Sequence, residues 1–342
     1  MSVREIARLA KVSPSTVSLA LRDSPKIPDT TKRKVRELAK RLGYRPNARV
    51  NELMSCVRTS RAPQNQACFG VVSFYDTPKP WESSHHLARI YRGMLARAEV
   101  LGYRLEPLWL RAPGMTYRRC RSILDARGIE GLLCFGSPDI DDEFPPEFDH
   151  YAIVTQGLSI KTPLHRVVSH VYKDMWRALE QVYQLGYRRP GLVIGRYEDI
   201  RSAHGYLSAY LGWWQVTLGT TPLPVLQLDK VELKPVREWL AYNAPDVMIF
   251  VHHYNVLPEF TACMRESGLH IPEDIGVAVI SQILDRTDYS GLEENQQLIG
   301  AWAVELLVSR IMNRDLGIPT NPRIEMVERH WVDGKTLRKI SR

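Results

Sequence analysis

Long hydrophobic runs are missing from this chain of 342 residues. The N-terminus has no apolar core of a secretion signal, and no stretch approaches the roughly 20 apolar residues that span a bilayer. Neither export nor a membrane anchor is expected, so the cytoplasm is the expected location. Cysteine is also scarce. Cys56, Cys68, Cys120, Cys134 and Cys263 are scattered, odd in number and never in a Cys-x-x-Cys pair. Reduced thiols are the plain reading. Catalytic and cofactor signatures are lacking as well: neither Gly-x-Ser-x-Gly nor Gly-x-Gly-x-x-Gly occurs. Asp333-Gly334-Lys335-Thr336 echoes a phosphate loop, but Arg329 stands where the upstream glycine belongs, and no helix is expected to follow. His85-His86 and His252-His253 are adjacent pairs. Neighbours on a helix or strand point apart, whereas helical metal ligands sit three or four residues apart. These histidines are expected at a surface or a cleft wall. Asp139, Asp141, Asp142 and Glu143 are expected to form a solvated turn. No enzyme, metal or cofactor is indicated.

What the chain does have is positive charge, all of it at one end. Residues 1–61 hold 15 Lys and Arg against 5 Asp and Glu, a net of +10; residues 62–342 hold 31 against 33, a net of −2. A basic head on a near-neutral body locates a polyanion site. The head's pattern agrees. Ser2 and Glu5 have capping-box spacing before the run Ile6, Ala7, Leu9 and Ala10, which predicts one apolar helical face. Lys11-Val12-Ser13 breaks it. Ser13 suits a cap and Pro14 a first helical position, so a second short helix follows to Leu21. Two short helices joined this tightly are a helix-turn-helix, which lays its second helix in the DNA major groove. A third helix, about 29–42, carries Val35, Leu38, Ala39 and Leu42 inward and Lys32, Arg33, Lys34, Arg36, Lys40 and Arg41 outward.

The head resembles the LacI family of bacterial transcription regulators. Ile6-Ala7, Ala10, Val12-Ser13, Thr16-Val17-Ser18, Lys34-Val35, Leu42-Gly43-Tyr44 and Pro46-Asn47 fall at that family's spacing. The resemblance implies a DNA-binding domain over 1–47, then a hinge helix and linker over 48–67. Leu53 would wedge into the minor groove, with Met54 beside it. It implies phosphate contacts from Ser13, Thr16, Thr31, Tyr44 and Asn47, and base reading from Pro14, Ser15 and Leu19. The implied DNA-binding set also takes in Ser2, Val3, Ser18, Arg22 and Val50. Relatives commonly carry Arg where Leu19 stands. Arginine reads guanine through two hydrogen bonds, whereas leucine offers only apolar contact. Fewer direct base contacts are therefore expected. The implied partners are an inverted-repeat operator in double-stranded DNA and a second copy of the chain.

From Phe69 onward strands and helices alternate, predicting parallel sheets covered by helices on both faces. Leu-Gly-Tyr recurs at 42–44, 101–103 and 185–187, each ending a helix through a left-handed glycine; Gly268 and Gly317 are expected to do the same. Arg92-Gly93, Gly205-Tyr206, Pro245-Asp246, Ile271-Pro272 and Glu305-Leu306-Leu307 extend the family resemblance through the body. It implies a periplasmic-binding-protein-like effector and dimerisation domain over 68–342. One parallel-sheet subdomain takes about 68–168 plus 287–326 and the other about 169–286, joined by three crossovers. The expected fold class is thus an all-α helix-turn-helix head with a hinge helix, and an α/β body of two parallel-sheet subdomains.

A small-molecule effector would sit in the cleft between them. By position its contacts would come from His170, Arg201 or Ser202, His252, Ser281 and Glu294, with Trp81 and His86 on the other wall. Several of these depart from the family. His170-Val171 replaces Asp-Asn, His252-His253 replaces Asn-Asp, Ile280-Ser281-Gln282 replaces Phe-Asp-Asp, and Glu294 replaces Gln. The fold carries over and the ligand does not: an unusual ligand is expected, or a cleft that answers to none. Trp81 is either a stacking platform or a lid on the core. A solute-binding protein is the second class of reading, disfavoured by the basic head. An enzyme on the same scaffold is the third, and no motif supports it.

Overall fold

The computed structural model describes residues 3–21, 27–42, 67–251, 256–282, 288–293 and 295–340. The chain forms two compact units, Met1–Asn65 and Gln66–Arg342. Ser2, Arg22, Tyr44, Asn47, Val50, Leu53, Met54, His252 and Glu294 lie outside the described residues.

In the first unit, α1 (Val3–Ala10), α2 (Pro14–Leu21) and α3 (Asp29–Arg41) close around Ile6, Ala7, Ala10, Val17, Ala20, Val35 and Ala39, each 5% exposed or less. Leu9 is 45% exposed, against the expected inner face. At about 100° per residue it lies roughly 100° from the direction shared by Ile6, Ala7 and Ala10. The turn is made by Lys11 in the left-handed conformation, φ 57°. Ser13 then caps α2, its Oγ accepting from the Thr16 amide at 3.1 Å. The Lys34 ammonium donates to the Ala10 carbonyl at 3.1 Å, satisfying an end of α1 from the third helix.

The second unit is built on two six-stranded sheets. The first has the order β11-β5-β4-β3-β1-β2, all parallel. Its strands are β1 (Cys68–Ser73), β2 (Arg104–Trp109), β3 (Gly131–Cys134), β4 (Ala152–Gln156), β5 (His165–Ser169) and β11 (Ile324–Val327). Helices α4 (His85–Val100) and α11 (Gln296–Asn313) cover one face and α5 (Tyr117–Ala126) lies on the other. A Cβ on Gly93 would come within 1.9 Å of the Gln297 carbonyl oxygen, and one on Gly300 within 2.1 Å of that of Ile90. Only glycine lets α4 and α11 approach so closely.

The second sheet has the order β12-β10-β9-β8-β6-β7. Its strands are β6 (Pro190–Ile194), β7 (Leu226–Gln227), β8 (Val247–Val251), β9 (Gly276–Gln282), β10 (Ser290–Glu293) and β12 (His330–Val332). Only β12 is antiparallel, paired to β10. Its helices are α6 (Val171–Gln184), α7 (Arg196–Arg201), α8 (Gly205–Trp213), α9 (Leu233–Asn243) and α10 (Leu257–Glu266). Helix α8 ends at Trp213, and Trp214–Leu218 continues from it as a π-helix closed by left-handed Gly219. Both tryptophans are buried.

The expected return to the first subdomain near 287 comes before β10, which still pairs in the second sheet. The return follows Glu293, and α11 begins at Gln296. Gly102, Gly186 and Gly268 are left-handed where helices end. Gly317 is left-handed too, but it lies in a later turn; α11 is closed by Arg314, φ 55°.

Candidate functional site

The described part of the reading helix offers a half-exposed outer face. Val17 and Ala20 point inward, which leaves Pro14 exposed and Thr16 and Leu19 partly exposed. The Ser13 and Thr16 hydroxyls bond each other at 2.9 Å, so the two groups are already oriented by the cap. Thr31 is partly exposed near the start of α3, and Arg33, Lys34, Arg36, Lys40 and Arg41 are exposed along it. Val3, Ser15 and Ser18 lie on α1 and α2.

In the second unit a cavity of about 450 Å³ opens beyond the carboxyl ends of the strands. Open parallel sheets hold ligands at that place. The first sheet contributes Tyr75 and Asp76 after β1, and Gln156, Gly157 and Ser159 at and after β4. Ser84, which caps α4, lies there with His86. The second sheet contributes Val251 at the end of β8, with Tyr197, Glu198 and Arg201 from α7 and Tyr206 from α8.

Polar groups on the first-sheet side are internally bonded. Gln156 Nε2 donates to the Phe135 carbonyl at 2.8 Å, and Ser159 Oγ accepts from the Ser137 amide at 3.0 Å. Gln296 Nε2 meets His86 Nδ1 at 3.0 Å. Asp76 is paired with Arg111 at 3.2 Å, and Arg111 also holds Asp142 at 2.6 Å. Burial pushes the Tyr75 and Tyr197 phenols above their ordinary range, while the nearby Arg201 charge pulls both back. They are neutral donors at ordinary pH. The Tyr197 hydroxyl reaches across the cleft and donates to the Ser137 carbonyl at 2.9 Å.

Behind the cavity the crossovers are laced together. His170 N donates to the Val327 carbonyl at 3.0 Å, and Asn295 Nδ2 to the Glu328 carbonyl at 2.6 Å. Arg329, 4% exposed, lies 3.5 Å from the Asp174 carboxylate and donates to Ser169 Oγ at 3.2 Å. It also reaches the Tyr206 hydroxyl at 3.4 Å, so the crossover is bonded to a residue of the cavity wall. Burial raises the Asp174 carboxyl and Arg329 lowers it again.

The expected ligand contacts divide. His86 and Arg201 line the cavity. Trp81 does not: it is 9% exposed, stacked on Tyr91 at 4.1 Å and packed on Phe135, so of the two readings the lid on the core is the one observed. His170 is the N-cap of α6, its ring accepting from the Lys173 amide at 3.4 Å. Ser202 is buried and donates to the Asp199 carbonyl at 3.0 Å, a helix-end bond that turns it from the cavity. Ser281 lies near the end of β9. Tyr75, Gln156, Ser159, Tyr197, Glu198 and Tyr206 were not anticipated. The available signal was their position just beyond strand ends.

Among the described residues no helix is long and apolar enough to cross a membrane, and no three His, Cys, Asp or Glu gather as metal ligands. The described cysteines are free; burial pushes the Cys120 and Cys134 thiols up to about 11.

A three-helix head with a helix-turn-helix, and a two-sheet body with a cavity at the strand ends, define a class: DNA-binding regulators with a ligand-binding-protein body. Residues 2–47 match the model of the bacterial regulatory proteins of the lacI family. The chain is 47% identical over 293 residues to the probable HTH-type transcriptional repressor ExuR of Bacillus subtilis, covering 81% of this chain and 80% of that one. It is 21% identical to the transcriptional repressor CytR of Escherichia coli, over 92% of this chain and 91% of that one. The fold matches the lac repressor dimer bound to operator and the anti-inducer ONPF, with TM-score 0.60, 18% identity and 99% of both chains covered. It also matches a regulator CelR–cellobiose complex, with TM-score 0.59, 19% identity and 98% and 99% coverage. The chain belongs to the LacI family, and it is a DNA-binding regulator of transcription.

Proposed function

We propose that this protein is a cytoplasmic repressor that binds an inverted-repeat operator as a homodimer and answers to a small molecule in the body's cleft. The observation that carries the DNA-binding part is the Ser13-capped second helix. It turns Pro14, Thr16 and Leu19 outward in a segment that holds the chain's whole excess of positive charge. The similar proteins described as repressors, and the lac repressor seen as a dimer on operator, support the rest. A ligand that prefers one closure of the cleft shifts the dimer's geometry, and with it the minor-groove wedge assigned to Leu53 and Met54.

Leu19 makes only apolar contact, for instance to a thymine methyl, so phosphate contacts supply most of the affinity. Binding then falls steeply with salt. Selection of bound sequences from random duplexes tests the proposal. The expected product is an inverted repeat whose preferred half-site changes in Leu19→Arg. A monomer that binds one half-site as tightly as the full repeat would refute it. Leu53→Ala is expected to reduce DNA bending while sparing non-specific binding.

A further inference from the structure

Strand β11 closes one end of the first sheet, and among the described residues nothing pairs with its outer side. The Arg323 carbonyl accepts from the Arg166 amide at 2.9 Å, and the Val327 carbonyl from the His170 amide at 3.0 Å, both on the β5 side. Successive residues of a strand turn their N–H and C=O groups to opposite sides, so those of Ile324 and Met326 point away from the sheet. The side chains of these two share the face opposite buried Val327 and are 47% and 50% exposed. An apolar edge strand invites another strand unless a lysine, a bulge or a proline blocks it. β11 keeps unbroken register with β5, and its proline, Pro322, lies before the strand. The Arg323 amide donates to the buried His165 ring at 2.9 Å, so the start of the strand is held in place without a partner.

We propose that β11 is a self-association surface: two copies of the chain pair these strands antiparallel about a two-fold axis at Ile324. The proposal goes beyond the readings of the head and the cleft and depends on neither. The sequence Arg323-Ile324-Glu325 is its own complement in that register. Arg323 falls opposite the partner's Glu325, and Glu325 opposite the partner's Arg323. These pairs take the sites without mutual hydrogen bonds, where side chains on adjoining strands come closest. Ile324 meets the partner's Ile324, and Met326 meets the partner's Pro322. One face of the joined ribbon is then apolar and the other charged. Within one chain Arg323 and Glu325 lie 3.1 Å apart, with side chains 55% and 24% exposed, so the paired strands gather charges of alternating sign. Neighbouring registers lack this match. Centring on Glu325 sets two glutamates opposite each other, and centring on Arg323 two arginines. A foreign strand would have to carry the same pattern in reverse, whereas a second copy supplies it by symmetry. A pairing so short buries less than the roughly 1,000 Å² of a stable interface, so the association is weak.

The test is sedimentation equilibrium of the full chain at concentrations on the order of 100 μM. The parent's mean mass is expected to rise toward twice that of Arg323→Glu or Glu325→Arg. Each variant sets like charges opposite one another and weakens association about tenfold. Each also breaks the ion pair within its own chain, and mixing the two variants separates these effects. The equimolar mixture puts glutamate opposite arginine at both sites between chains and leaves the pair within each chain broken. It is expected to recover the parent's association. Ile324→Cys places two thiols at the two-fold axis with Cα atoms about 5.5 Å apart, within disulfide reach. Mild oxidation should link two copies through position 324, as located by peptide mapping. Thermal denaturation checks that every variant folds. Equal masses for the parent and both single variants at every concentration overturn the proposal and leave the edge to a partner of another kind. A mixture that associates no more tightly than its components overturns it too, as does oxidised Ile324→Cys without a link at that position.

Discussion

The two walls of the cavity differ in how their polar groups are completed. On the first-sheet wall Gln156, Ser159, His86 and Asp76 all have protein partners. On the second-sheet wall Glu198 and Arg201 have none that neutralise them among the described residues. The first wall is a finished frame that keeps its shape with the cavity empty. Groups completed within the fold contribute stability, whereas groups left for a ligand cost some, which is the usual stability–function trade-off. The two walls are tied together through α7, whose Tyr197 bonds across to Ser137.

The comparison breaks most severely at Arg329, which supports the second wall from behind through Tyr206. Arg329→Met leaves the Asp174 carboxylate, 2% exposed, without its cation. Removing one partner of a buried pair costs about 3–5 kcal/mol, readable by urea denaturation. The pH dependence gives the sign a second check. Burial already holds the Asp174 carboxyl above its ordinary value, and Arg329 restrains it. Without Arg329 that value rises further, so the folded state binds a proton that the unfolded state has released. Stability of the variant must then recover as pH falls toward the unfolded carboxyl value of about 3.9, relative to the parent. A loss that is equal at every pH would remove the buried pair from the account.

A pair of substitutions sharpens the contrast between the walls. Gln156→Leu strands the Phe135 carbonyl, whose bond from Gln156 is buried, and is expected to cost about 1–3 kcal/mol. Glu198→Gln removes an unneutralised charge of similar burial, and is expected to raise the stability of the ligand-free protein by about 1 kcal/mol. Thermal denaturation of the two variants reads opposite signs. If both lose stability equally, the walls are not distinguished as described.

Much of this organisation was legible in the residues, and the exceptions share a cause. The head could be read because its signals are local: a Ser13 cap, a Pro14 start, and Val17, Val35 and Ala39 at helical spacing. The long alternation of strands and helices was legible for the same reason. Strands β10, β11 and β12 were not, because each has three or four residues and its strand character comes from partners distant in sequence. The cavity shows the same limit at finer grain. Arg201 and Ser202 are adjacent, and spacing left both open; the fold sends Arg201 to the wall and spends Ser202 on a helix end. Glu198, one turn earlier on α7, carried no motif at all. Its meaning comes from an absence of partners that only the three-dimensional arrangement displays.

The smallest expected effect is at the bridge between the walls. Tyr197→Phe removes the hydroxyl that donates to the Ser137 carbonyl and keeps the ring beside Arg201. A single neutral hydrogen bond contributes about 0.5–1.5 kcal/mol, so overall stability should change little. The informative quantity is the cleft itself. If this bond helps hold the ligand-free cleft closed, its loss lets the second wall move away from the first, and hydrogen exchange should rise in residues 137–142 and 195–202 with little change in the sheets. Exchange that rises uniformly through the body would mean the bond is merely one of many. Exchange that does not change in either segment would mean this bond does not hold the two walls together.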